Sequence, residues 1–260
     1  MATMDVAIDR KRRIAATEIT EAEWKVRVDL AAAYRLSERH GWGDLIQGHL
    51  SVRVPGTPNH FLINPYGMAF EEITASSLVK IDHEGSIVGE SEYPVNAAGF
   101  VIHSAVHMGR PELNCVIHLH SEAGVAFSSL PEGLLPLNQH ALRFYKRIGY
   151  HDYEGVAVDA DERARLMRDL GPHKALILRS HGVLTAGATV QEAWVTMYYL
   201  MTAINAQLKA MAASDNLVLP SEEVCEQTAQ LWEKPEMYSG DREWPAMLRR
   251  LDRDDPSYKN

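Results

Sequence analysis

"NCVIHLHSEAG", residues 114–124, closes an apolar run on two histidines one residue apart. Cys115, Val116 and Ile117 have the composition of a short buried strand. Side chains two apart on a strand share a face, so His118 and His120 put both imidazoles on one side at the strand's C-terminal end. Two neutral imidazoles there suit a divalent metal, whereas two imidazolium ions would repel each other. Surface histidines or hydrogen-bonded core histidines produce the same pattern, so the wider sequence must decide.

Upstream, residues 95–109 read as a helix with Ile102 and Val106 on one row and Gly99, His103 and His107 on another. Segments 49–54, 60–64 and 78–82 read as short strands, separated by turns such as "VPGTPNH" (54–60). Thr20 and Glu23 form a capping box that opens a helix over 21–40. Its rows Trp24/Val28 and Val26/Leu30/Tyr34 are expected to face a core.

Downstream, helices are predicted over 121–129 and 159–170, the second stopped by Gly171. "KALILRSHGVLTAG" (174–187) reads as a buried strand, a turn and a short strand, and Thr189 and Glu192 cap a long helix over 189–213. Charged helical pieces follow at 221–232 and 241–251. Helices and short strands alternate without a strict βαβ rhythm. That predicts an α/β fold, a single layered α/β/α domain with a mixed, mainly antiparallel central sheet. The domain spans 21–215, after a flexible N-terminus over 1–20 and before a helical extension over 216–260, whose Trp232, Tyr238 and Trp244 suit an oligomer contact.

Composition narrows the function classes. The 260 residues are 46% apolar and 23% charged, ordinary for a globular chain, and the net charge of −9 argues against nucleic acid as a partner. The basic patch Arg10–Arg13 reads as a solvated segment. No apolar run approaches a membrane span, no secretory leader is evident, and Cys115 and Cys225 read as free thiols. A cytoplasmic protein acting on a small molecule, without membrane contact, is the expectation.

"LILRSHG" (176–182) adds His181 just past a strand end, where Gly182 would let the backbone turn sharply. Three histidines at adjacent strand ends match an open three-histidine metal site that leaves a position for water or substrate. Alternatively, His181 caps the turn through a backbone hydrogen bond.

These segments resemble the class II aldolase/adducin family. The matching pieces are "GHLSVR" (48–53), "INPYGM" (63–68), "RPELNCVIHLHS" (110–121) and "LILRSHGVLTAG" (176–187), in consistent order over about residues 24–215. The resemblance implies a class II aldolase-like fold. It also implies a divalent metal on His118, His120 and His181, zinc first with iron or manganese as the other candidates, and a homotetramer whose sites borrow groups from a neighbour.

Departures from the family pattern fall at the chemistry. The family's acidic proton shuttle aligns with Gly99, its phosphate-binding serine pair with Ala97 and Ala98, the Asn of its "GN-x-S" loop with His49, and a Thr beside the loop Gly67 with Tyr66. Alanine side chains donate no hydrogen bonds to a phosphate dianion, so a sugar-phosphate substrate is disfavoured. The expected function is a metal-dependent lyase, cleaving or decarboxylating a non-phosphorylated carbonyl or hydroxy-carboxylate substrate through a metal-stabilised enolate. Proton-transfer candidates are His103, Tyr145 and His49, and substrate-binding candidates are Tyr66, Gly67, His140 and Arg143. His103 also fits a core histidine bonded to a carbonyl, His140 and Tyr145 ordinary loop packing, and Arg143 a solvated arginine. "GYHDYEG" (149–155) resembles the adducin head in particular. The alternatives are therefore a non-catalytic adducin-like interaction module and a non-heme iron oxygenase.

Overall fold

The computed structural model describes residues 13–14, 18–155 and 162–260. The expected flexible segment over 1–20, the basic patch Arg10–Arg13 and the start of the helix expected at 159 lie largely outside the described residues. The first half holds β1 (Arg13–Ile14), α1 (Glu21–Arg39), β2 (His49–Arg53), β3 (His60–Ile63), β4 (Val79–Asp82), β5 (Ile87–Val88) and α2 (Ala97–Gly109). Next come β6 (Cys115–Leu119), α3 (Glu122–Ser128), β7 (Gly149–His151), α4 (Glu162–Leu170), β8 (Ala175–Leu178) and β9 (Gly182–Gly187). The long α5 (Val190–Ala213) precedes α6 (Glu222–Trp232), α7 (Pro235–Tyr238) and α8 (Glu243–Asp254).

The strands form one sheet in the order β1-β5-β4-β3-β2-β6-β9-β8-β7. Among the described residues only β1·β5 and β7·β8 pair in parallel, so the sheet is mixed and mainly antiparallel, as predicted. Strand β6 lies in its interior, antiparallel to β2 and to β9.

Period-2 alternation then separates two cores. Cys115, Ile117 and Leu119 of β6 join Leu50, Val52 and Val183 beneath α1 and α5, among Leu30, Tyr34, Trp194 and Met197. Val116 of β6 joins Leu176, Leu184 and Ala186 beneath α2 and α4, among Ile102, Val106 and Leu166. Helices thus cover both faces, giving the layered α/β/α domain. Tyr34 ties the first layer to the sheet: its hydroxyl donates to Leu50 O (2.6 Å) or Asn64 Oδ1 (2.8 Å) and accepts from Leu50 N (2.7 Å).

Three expectations need correction. Thr20 caps α1, accepting from Glu23 N at 3.1 Å, but the Glu23 carboxylate does not close a capping box. It turns inward to a buried ion pair with Arg27 (2.9 Å) and Lys80 (2.6 Å), which displaces Trp24 to the exposed side of the helix. The backbone turn before β9 belongs to Ser180, whose φ is +53°, and Gly182 lies outside the left-handed region. Glycine is needed at 182 because a Cβ there would lie 2.5 Å from Leu119 O, too close for the β6·β9 approach.

The third correction concerns the extension. Trp244 is buried within its own chain: it is 5% exposed, donates from Nε1 to Asp29 Oδ1 at 2.9 Å and lies 6.0 Å from the Trp194 ring. The Arg143 guanidinium sits 4.0 Å over the Trp232 ring and the Lys174 amine 3.9 Å over Tyr238. From the tail, Trp244 thus meets Trp194 and Trp232 lies 6.4 Å from Tyr199, both on α5, and burying these rings favours folding back on its own chain. No described helix is long and apolar enough to cross a membrane.

Candidate metal centre

The register of β6 builds the centre. His49 pairs directly opposite His118, and Leu119 opposite Val183. Alternation keeps His118 off the aliphatic core while Ile117 and Leu119 enter it. His120 follows on the same side, and the turn at Ser180 brings His181 over the strand ends. His120 Nε2 then stands 2.8 Å from His118 Nε2 and 3.0 Å from His181 Nε2.

The outward nitrogens define the tautomers. His118 Nδ1 lies 3.1 Å from Val183 O, a carbonyl that can only accept, so Nδ1 carries the proton. His120 Nδ1 faces Asp44 Oδ2 at 3.1 Å and donates likewise. In the neutral rings both Nε2 atoms are therefore bare and aim lone pairs at each other. A shared cation turns that repulsion into binding, and ligand nitrogens at about 2.0–2.1 Å from one tetrahedral ion lie about 3.3–3.4 Å apart, so the three rings need to part by only a few tenths of an ångström to take one. The donor set fits a divalent metal held by His118, His120 and His181. Asp44 was not legible from the sequence, since nothing in "WGDLIQG" marks it as the carboxylate behind a histidine 76 residues away.

The imidazoles form a buried layer around this point. Burial first, and neighbouring imidazoles next, hold His118 and His49 well below the ordinary histidine pKa. Burial and the nearby His120 and His151 lower His181 to about 4. Burial with His107 lowers His103 to about 3, and burial with the Arg53 guanidinium lowers His107 to about 3. The layer is neutral at pH 7, the state that ligates metal.

His49 fills the space beside Gly99. A Cβ on Gly99 would lie 2.8 Å from His49 Cγ and Cδ2, so the imidazole fills the space a side chain at 99 would enter. The His49 ring stacks toward His118 at 6.0 Å and meets His103 edge-on at 5.8 Å. Neither His49 nitrogen has a hydrogen-bond partner among the described residues.

Behind it runs a directional chain. His107 Nδ1 donates to Leu113 O (3.3 Å), so its Nε2 accepts from Ser51 Oγ (2.7 Å), and Ser51 in turn accepts from His103 Nδ1 (2.6 Å). His103 Nε2 is left bare and without a partner among the described residues. His103 is thus neither bonded to a carbonyl nor solvated.

The other candidates separate into two groups. Tyr66, beside Gly67, takes a 3.4 Å contact from Gln47 Nε2, and Gln47 Oε1 accepts from Asn96 at 3.3 Å, which links this loop to the β2 turn and the start of α2. Ala97 and Ala98 open α2, but the expectation for their side chains lies outside the described residues. His140, Arg143 and Tyr145 make no hydrogen bond or ring contact with the triad. His140 stacks on Tyr199 at 5.2 Å, and Arg143 lies 3.8 Å over Tyr199, where it lines a cavity of about 470 Å³ with Lys146, His173 and Trp232.

Two outcomes are expected. Asp44→Asn should weaken metal affinity about 10- to 100-fold while leaving the fold intact; isothermal titration of metal-free protein checks this, and an unchanged affinity would refute the role. The second concerns pH. An unfolded histidine protonates near 6.5 and folded His181 only near 4, so the unfolded chain binds more protons between these values. Stability of the metal-free protein should be full above pH 6.5 and fall progressively toward pH 4, read as a declining Tm. A flat Tm over that window would show that the imidazoles protonate freely in the fold.

The chain is similar to known proteins over nearly all of its length. The family model for the class II aldolase and adducin N-terminal domain matches residues 28–208. A Caulobacter vibrioides protein bearing a class 2 aldolase name is 49% identical over 242 residues, covering 93% of this chain and 94% of its own. Alpha-adducin of Rattus norvegicus is 38% identical over 250 residues, covering 89% of this chain but 34% of the adducin. Among solved structures, an aldolase II superfamily protein from Pseudomonas syringae superposes with a TM-score of 0.89 at 43% identity, covering 94% of this chain and 98% of that one. An L-fuculose 1-phosphate aldolase from Glaciozyma antarctica gives 0.81 at 30% identity, covering 94% and 96%. The chain belongs to the class II aldolase and adducin family.

Proposed function

We propose that the protein is a metal-dependent lyase acting on a non-phosphorylated carbonyl or hydroxy-carboxylate substrate. The observation that carries this reading is the convergence of the Nε2 atoms of His118, His120 and His181, those of His118 and His120 left bare by their tautomers, beside an unpartnered, buried His49. A divalent cation on His118, His120 and His181, zinc first and iron or manganese otherwise, supplies Lewis-acid polarisation of a substrate carbonyl. Everything else is the work of the chain's own side chains.

His49 takes the proton-transfer role that Gly99 vacates. Its ring is neutral, buried and next to His118, and neither nitrogen is committed elsewhere, so either can hold a proton for substrate. His103, with its acceptor Nε2 set by Ser51 and His107, stands behind His49 as a base. Tyr66 and Gly67, on the loop tied to Gln47, are the substrate-binding candidates on this chain. His140, Arg143 and Tyr145 lie apart from their own triad, and in a homotetramer they would serve a neighbouring chain's site, with the Arg143 fork receiving a substrate carboxylate.

Metal-loaded protein offered hydroxylated carboxylic acids should release CO₂ or an aldehyde. His120→Ala should abolish both metal and turnover, and His49→Ala should keep the metal and lose about 10²- to 10⁴-fold in rate. Fuculose and rhamnulose 1-phosphates should not turn over. Metal-loaded protein inert to every such acid, or His49→Ala at full rate, would overturn the reading and favour an adducin-like interaction module. Light scattering over a dilution series should show a tetramer; a 29.1 kDa monomer that stays active would exclude a shared site.

A further inference from the structure

A second cluster of ligand atoms lies beside the first, at the end of β7. His151 closes that strand and Glu162 opens α4; the residues are 3% and 6% exposed. His151 Nδ1 faces Asp169 Oδ2 at 2.7 Å, and a carboxylate only accepts, so the proton sits on Nδ1. Nε2 of the neutral ring is then bare and without a hydrogen-bond partner among the described residues, with Glu162 Oε1 3.4 Å away and not aligned for a direct hydrogen bond.

A lone pair facing a buried carboxylate is unfavourable unless something positive lies between them. A proton on Nε2 would draw the pair together, since charge-assisted N–H···O bonds run about 2.7–2.9 Å. A cation bound about 2.1 Å from each atom sets a tetrahedral edge of about 3.4 Å. The observed 3.4 Å separation matches the cation.

The remaining parts are in place. Glu154 brings a third ligand atom, and one atom from each of His151, Glu154 and Glu162 lies within 4.8 Å of the others. Arg165 grips the Glu154 carboxylate, with Nε 2.8 Å from both oxygens, and so fixes its orientation. Asp169 behind His151 repeats the arrangement of Asp44 behind His120, the carboxylate–histidine pairing that orients metal ligands. A cavity of about 10 Å³ lined by His151, Glu154, Glu162 and His181 has the volume of one ion or one water.

We propose that His151, Glu154 and Glu162 form a second divalent-cation site, separate from the histidine triad and adjoining it at His181. One nitrogen and two carboxylates suit zinc or manganese. Bound there, the ion fastens the end of β7 to the start of α4 beside a triad ligand. This inference stands apart from the lyase reading, because stoichiometry alone tests it.

The test is equilibrium dialysis of metal-stripped full-length protein against Zn²⁺ alone, and separately Mn²⁺ alone, followed by elemental analysis. Wild type should hold two Zn²⁺ per chain, Glu162→Gln one, His120→Ala one and the double variant none. Asp169→Asn, which keeps the side-chain volume, should weaken the second equivalent about 10- to 100-fold and leave the first unchanged, so the question survives a folding failure of Glu162→Gln. Wild type saturating at one equivalent, or Asp169→Asn binding both as tightly as wild type, would overturn the site.

Discussion

Everything at the metal centre depends on how β6 pairs with its two neighbours. Antiparallel pairing on both sides sets His49 opposite His118 and Val183 opposite Leu119. A slip of one residue would exchange the faces, turning Ile117 and Leu119 out of the aliphatic core and the imidazoles into it. The buried apolar residues therefore hold the register, and the register holds the chemistry. A strand can carry two ligands two residues apart because the residues around them have nowhere else to go.

The same constraint shapes the electrostatics. Packing α2 against β2 buries His103 and His107 against Ser51, next to His49 and His118. Several imidazoles close together in a dry interior can exist only uncharged, and each neighbour reinforces that state. The serine hydroxyl then gives the layer a direction, since one donor and one acceptor face two rings. Desolvation usually costs stability. Here it also fixes which nitrogens are free to bind and which are committed to the scaffold.

Elements with enough residues for a period to show were legible in the sequence. The predicted strands at 49–54, 60–64 and 78–82 and the long helices agree with the fold to within a few residues. Strands β1, β5 and β7, of two or three residues, carry no alternation and exist only because the sheet offers them a partner. In the site, His118, His120 and His181 were readable because strand period and turn position are local signals. Asp44 and Ser51 were not, because their roles come from partners dozens of residues away. Gly99 and His49 were both visible as departures from the family pattern, yet their spatial exchange required three dimensions. Trp244 misled for a related reason: an aromatic among charges looks like an interface until the aromatic face of α5 is seen to need a cover.

The fit of the His49 ring into the space above Gly99 also governs how this chain can change. Glutamate at 99 with the histidine kept would drive a side chain into an occupied ring, while asparagine at 49 with the glycine kept would leave a gap beside the metal ligands. Each single step passes through a damaged centre, and only the pair together reaches the other arrangement. The two positions are therefore sterically coupled: what stands at 49 decides how much side chain 99 can carry.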